Sequence, residues 1–198
     1  MNCTSLPKKN DSTETAMVKV HNDILRALDN ESSVIVLLLD LSAAFDTVDH
    51  QILLSRLKCR YGFHCKVLDW FSSYLSDRKQ FVEGGRSSSH NLNYGLPQGS
   101  ILGPMLFSLY TSPLADLIRK HNMDFHLYAD DTQLYIVFKS SIEGHLELAK
   151  SKIETCVRDI DLWMSQNMLK MNRDKTELLI LNAQHRPQPS QYLFCLCL

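Results

Sequence analysis

The sequence predicts an α+β fold, an antiparallel sheet in the split βαβ order (βαββαβ) packed on helices. Three observations carry this expectation. Val34-Ile-Val-Leu-Leu-Leu39 is an unbroken aliphatic run of strand length, the pattern of a strand covered on both faces. Phe125 to Ala129 and Leu134 to Phe138 read as two short strands rich in β-formers, joined by a tight turn that carries Asp130 and Asp131. Ile142, Leu146, Ala149, Ile153, Cys156, Ile160 and Trp163 then recur at helical spacing, marking a long amphipathic helix.

Taken in order, Asp11-Ser-Thr-Glu14 has the spacing of a capping box, and Met17, Val20, Ile24 and Leu28 share one helical face to about residue 29. Asn30 to Ser33 interrupts the pattern, and the first strand, Val34 to Leu39, ends at Asp40. A carboxylate at the end of such a strand is costly unless it is paired, hydrated or bound to a metal. Leu41 to His50 is a turn into a helix that reaches about Arg60 and stops at Gly62; Asp49 is placed to cap it and Asp46 is a loop residue. A helix from Lys66 to Leu75 is expected to bury Val67, Trp70, Phe71 and Tyr74. Arg78 to Val82 and Ser87 to Tyr94 read as a hairpin about Glu83-Gly84-Gly85.

Gly95-Leu-Pro-Gln-Gly-Ser100 is a loop whose glycines permit close backbone approach. Ile101 to about Lys120 is helical, with an end or kink at Pro113. Past the long helix, Asn167 to Lys175 is polar and reads as a loop, and Thr176 to Asn182 is the last strand. The expected organisation is an irregular or disordered stretch over residues 1–10, one domain over 11–182, and a tail over 183–198 that holds two prolines.

A chain of 198 residues, 44% of them hydrophobic, suits one globular domain. Its net charge of −1 and pI near 6.7 leave little of the basic surface that a free-standing nucleic-acid binder requires, so a larger assembly is expected to supply it. The six cysteines form no Cys-x-x-Cys pair, and Cys59, His64 and Cys65 lack a matching second pair. Structural zinc is therefore not expected; free thiols in a reducing intracellular compartment are. Val34–Leu39 is too short to cross a bilayer and the N-terminal residues lack the apolar core of a signal peptide, so neither membrane association nor secretion is expected. Cys195-Leu-Cys-Leu198 formally fits a prenylation box, but no polybasic segment precedes it.

In the split βαβ arrangement the first and third strands are central antiparallel neighbours, so Asp40, Asp130 and Asp131 should converge. Adjacent acids repel, and a turn needing only polarity is served better by Asn-Gly or Asp-Gly. Their presence points to a divalent cation as the missing positive charge. Oxygen ligands favour Mg2+, and no histidine cluster competes to recruit zinc. A pair of Mg2+ ions on such carboxylates is a standard device for phosphoryl transfer. The competing reading is an acid patch balanced by nearby Lys or Arg.

Asp40-Leu-Ser-Ala-Ala-Phe-Asp-Thr-Val-Asp-His50, Gly95-Leu-Pro-Gln-Gly-Ser-Ile-Leu-Gly-Pro104 and Tyr128-Ala-Asp-Asp131 resemble successive palm motifs of reverse transcriptases, in wording most similar to the non-LTR (LINE-type) retrotransposon branch. Ser12 to Ala16 and Leu169 to Glu177 extend the resemblance, which covers about residues 11 to 182. It implies a right-hand polymerase palm that is an RNA-directed DNA polymerase, using RNA template, DNA primer and deoxynucleoside triphosphates. It implies two Mg2+ ions, with Mn2+ as a substitute, held by Asp40, Asp130, Asp131 and the backbone carbonyl of Leu41. By the same resemblance Phe45, five residues past Asp40, packs under the incoming sugar and excludes a 2′-hydroxyl, the alternative being ordinary core packing at a helix start. Gln98 lies near the nascent base pair, Gly95 and Gly99 let their loop approach template and nucleotide, and Ala129 admits the primer end. Lys175 is a candidate proton donor to pyrophosphate, or else a surface lysine.

The sequence departs from the family in lacking most of the fingers, a recognisable primer grip and thumb, and an endonuclease. The remaining retroelement segments are expected partners. The alternative is a catalytically inactive relic that at most binds nucleic acid or protein. An RNA-binding module of similar topology is a third reading; such modules stack bases on exposed sheet aromatics, where this hairpin carries acids that repel phosphate.

Overall fold

The computed structural model describes residues 13–76, 79–80, 90–91 and 93–183. The expected cap at Asp11, the turn at Glu83–Gly85, residues 1–10 and the tail from 184 onward lie outside them. Helix α1 (Thr13–Asp29) leads into β1 (Ser33–Ser42), followed by α2 (His50–Cys59) and α3 (Lys66–Leu75). A short pair, β2 (Lys79–Gln80) and β3 (His90–Asn91), precedes α4 (Leu102–Thr111) and α5 (Pro113–Lys120). The chain closes with β4 (Asp124–Tyr128), β5 (Asp131–Phe138), α6 (His145–Gln166) and β6 (Lys170–Leu181).

The principal sheet has the order β4-β5-β1-β6, with antiparallel pairing throughout, so β1 and β5 are central neighbours as the split βαβ order requires. β1 is buried on both faces because alternate side chains feed two cores. Ile35, Leu37 and Leu39 join Leu134, Phe138, Ile153 and Ile160 in the main core under the later helices. Val34 and Val36 face the other way, packing with Tyr135 and with Val20 and Ala27 of α1.

Asp49 caps α2 by accepting a hydrogen bond from Ile52 N at 2.9 Å, and Gly62 turns the chain beyond it at φ +70°. Pro113 divides the 101–120 helix into α4 and α5 because its ring cannot continue the ladder.

Several expectations are corrected. β1 does not end at Asp40 but runs to Ser42, because Asp40, Leu41 and Ser42 continue to pair with β6. The stretch Asn167 to Lys175 is not all loop: β6 begins at Lys170, and its polar residues flank a buried Met171 along a sheet edge. In α3 the buried positions are Phe71 and Leu75, whereas Val67 and Trp70 are half exposed. The Trp70 ring stacks on Tyr74 instead of entering the core. Ile142 precedes α6 and is exposed, since the helix starts only after Gly144 turns the chain at φ +82°. Of the expected 78–94 hairpin, the described residues include the paired β2 and β3, while Tyr94 forms a bridge with Asp49 instead of ending the return strand; the rest lies outside the described residues.

Candidate active site

The acidic turn is tighter than the sequence implies. Tyr128 pairs with Asp131, so Ala129 and Asp130 alone form the connection and Asp131 is the first residue of β5. Ala129 sits at φ +49°, a left-handed conformation that a small side chain tolerates better than a branched one. On β1, Asp40 stands one step beyond Leu39, which pairs with Thr132 of β5. By strand alternation Asp40 shares a face with Val34 and Val36, and Asp131 with Tyr135. The two acids therefore lie on adjacent strands, at the same end and on the same face of the sheet.

The electrostatics agree with that placement. The Asp131 carboxyl is pushed up from its ordinary range, first by partial loss of water around it, then by the Asp130 and Asp40 carboxylates. Asp40 accepts a hydrogen bond from Asn172 Nδ2 at 3.1 Å, and Lys175 Nζ lies 3.8 Å from the same oxygen. The structure thus brings Asp40, Asp130, Asp131 and Lys175 to one place. Among the described residues no three His, Cys, Asp or Glu side chains are gathered as a ready-made metal cage. The donor chemistry nonetheless suits a hard cation, since carboxylate oxygens crowd here at an electrostatic cost that added positive charge would relieve.

Phe45 and Gln98 belong to two loops that are fastened together. Gly95 N donates to Val48 O and Leu96 N to Phe45 O, both at 2.8 Å, and His50 Nε2 donates to Gly95 O at 2.8 Å. Gly95, at φ +89°, is required by the closeness of this contact: a Cβ there would meet Asp46 O at 3.1 Å. Gln98 donates through Nε2 to Asp46 Oδ1 at 2.9 Å, so its amide nitrogen is already engaged. The Phe45 ring is half-buried against Phe107, with centroids 4.9 Å apart. Gly99 turns at φ +76° with nothing near its missing Cβ, and Leu41 is buried opposite Met171 of β6.

Two features escaped the sequence. Asn172 touches Asp40 across 132 residues of chain, and no local pattern announces the pair. Arg56 is half-buried between the Tyr110 and Trp163 rings and donates to Tyr110 O and Asn167 Oδ1, while Tyr110 Oη donates to Asn167 O at 2.6 Å. This cluster ties α2, α4 and the end of α6 together beneath the sheet.

Comparison with known proteins places the arrangement. Residues 4–194 match the family described as reverse transcriptase (RNA-dependent DNA polymerase). A probable RNA-directed DNA polymerase from transposon BS of Drosophila melanogaster is 29% identical over 176 residues, covering 85% of this chain and 19% of the relative. The RNA-directed DNA polymerase from the mobile element jockey of the same species is 28% identical, covering 82% of this chain and 18% of the relative. The chain thus spans about a fifth of the length of these curated relatives. Among solved structures, apo telomerase from Candida tropicalis superposes with a TM-score of 0.62 at 14% identity, over 89% of this chain and 36% of that one. Telomerase from Candida albicans, in complex with a fragment of telomeric RNA, gives 0.59 at 13% identity, over 90% of this chain and 31% of that one. At such identities the telomerases speak for the fold, a polymerase palm. The chain belongs to the reverse transcriptase (RNA-dependent DNA polymerase) family, on its non-LTR retrotransposon branch.

Proposed function

We propose that the chain is the nucleotidyl-transfer palm of an RNA-directed DNA polymerase from a LINE-type retroelement, joining deoxynucleoside triphosphates to a DNA primer on an RNA template. The observation that carries the reading is the placement of Asp40 and Asp131 on adjacent strands, with Asp130 in the intervening field. Asp40, Asp130, Asp131 and the Leu41 carbonyl would hold two Mg2+ ions, or Mn2+ in their place. Bound there, such a pair supplies Lewis acidity that activates the primer hydroxyl and offsets charge on the leaving pyrophosphate.

The chain's own residues do the rest. Phe45, wedged against Phe107, offers a fixed aromatic wall on which a 2′-hydroxyl would collide. With its amide nitrogen held by Asp46, Gln98 would meet the nascent pair through its carbonyl oxygen, an acceptor. Gly95 and Gly99 keep that loop slim, and Ala129 leaves room for the primer end. Lys175, beside Asp40, is placed to give a proton to pyrophosphate. An RNA template is supported by the family and by the telomeric RNA held by one telomerase neighbour. The near-neutral charge leaves template grip to other segments of the retroelement protein. The cysteines suit a reducing compartment, and the likeness to retroelement polymerases makes it the nucleus or cytoplasm. The competing reading is a catalytically inactive relic that at most binds nucleic acid or protein.

Primer extension on an RNA template with Mg2+ separates the two. It is run with this chain and with a chimaera in which residues 13–183 replace the matching segment of the jockey polymerase. The chimaera should extend the primer, and Asp131→Asn should abolish extension. A chimaera that is inert under all metals supports the relic; one that extends equally well as Asp131→Asn overturns the assigned chemistry.

A further inference from the structure

The pairing of β1 with β6 is interrupted at one point. Leu38 pairs with Glu177, but Asp40 pairs with Asn172, so Leu39 alone faces residues 173–176 of β6. The surplus on β6 is a bulge, a device that re-aims side chains beside a site. Thr176 Oγ1 closes it by donating to Asn172 O at 2.8 Å. Two consequences follow for Asp40. Asn172 becomes its cross-strand neighbour and donates from Nδ2 to Oδ2 at 3.1 Å, and Lys175, carried on the bulge, reaches the same oxygen at 3.8 Å. A regular ladder continued from Leu38–Glu177 would place Lys175, not Asn172, opposite Asp40.

We propose that Asn172 is a positioning residue that fixes the rotamer of Asp40 for cation binding. The inference rests on the metal-binding reading of Asp40 given above. The chemistry of the amide suits the task. It donates one hydrogen bond to a single carboxylate oxygen and carries no charge, so it orients the group without competing with a cation for it. Oδ1 and the second lone pair of Oδ2 stay available. Lys175 differs: it is largely exposed, its contact is long, and its charge must yield when a cation enters. Asn172, anchored by backbone pairing and by Thr176, keeps its place through that exchange. Hydrogen-bonded partners of metal ligands are typically worth about 10- to 100-fold in metal affinity.

The test is Mn2+ binding to the full chain, followed by loss of the free-ion electron paramagnetic resonance signal, with circular dichroism to confirm folding. Asn172→Leu, close in size and without a donor, should weaken Mn2+ about tenfold. A purely structural role would instead lower the urea midpoint and leave Mn2+ affinity of the folded protein unchanged, which would overturn the proposal. Should Asn172→Leu fail to fold, Thr176→Val decides. It loosens the bulge while leaving the Asn172 side chain intact; weaker Mn2+ binding supports the proposal, and unchanged binding overturns it. Asp131→Asn separates the two levels. If it leaves Mn2+ binding intact, the metal reading of the site falls and the inference with it. If it weakens binding while folded Asn172→Leu does not, only the role of Asn172 is lost.

Discussion

Replacing Gly95 by alanine tests whether the loops bearing Phe45 and Gln98 are truly fastened together. Gly95 sits at φ +89°, where a Cβ costs about 1–2 kcal/mol in backbone conformation alone. The added Cβ would also lie 3.1 Å from Asp46 O and 3.3 Å from Asp46 Cα, so the loops must part by a few tenths of an ångström. Three 2.8 Å hydrogen bonds cross this seam, from Gly95 N, Leu96 N and His50 Nε2. Losing one of them adds about 1 kcal/mol, for a total of about 2–3 kcal/mol. Gly99→Ala is the internal reference. Its φ of +76° carries the conformational cost, but no atom lies within 4 Å of the missing Cβ. Urea denaturation of both variants should therefore show Gly95→Ala the less stable by at least about 1 kcal/mol. Equal losses would refute the steric argument, and with it the claim that Asp46 and Gly95 set the spacing of the two loops.

Two further outcomes follow from the electrostatics and the buried polar cluster. Because folding raises the Asp131 pKa, the protonated acid is favoured in the folded state, and stability is lost as pH rises through the folded value. Asp131→Asn should then stabilise the metal-free protein at pH 7, by less than about 1 kcal/mol for so exposed a group, and bring no gain in acid. Thermal melts in a chelator that show no gain at neutral pH would contradict this. Burial lowers the Arg56 pKa, yet its donors satisfy Tyr110 O and Asn167 Oδ1, so Arg56→Met should cost about 2–3 kcal/mol by stranding those acceptors. A loss under about 1 kcal/mol in urea would mean that water replaces the guanidinium there.

Periodicity made much of the fold legible. The run from Val34 to Leu39 read as a strand covered on both sides, and the helical recurrence from Leu146 to Trp163 marked α6 nearly to its ends. The order of these elements then implied that β1 and β5 are neighbours, and so brought Asp40 to the acidic turn. The failures share one cause: they lie where side-chain polarity stops reporting on backbone pairing. The polar residues of the edge strand β6 look like a loop because the edge faces water, and α3 leaves Val67 and Trp70 half exposed while Phe71 and Leu75 enter the core. For the site, the order of elements implied that Asp40 would approach Asp130 and Asp131, whereas the roles of Phe45 and Ala129 came from the family resemblance. Tertiary structure decided that Asn172 meets Asp40 across 132 residues and that Gln98 meets Asp46 across 52. Hydrophobic patterning says which side chains leave water, whereas a bulge of a few residues, invisible to it, sets the register that puts a distant amide beside an acid.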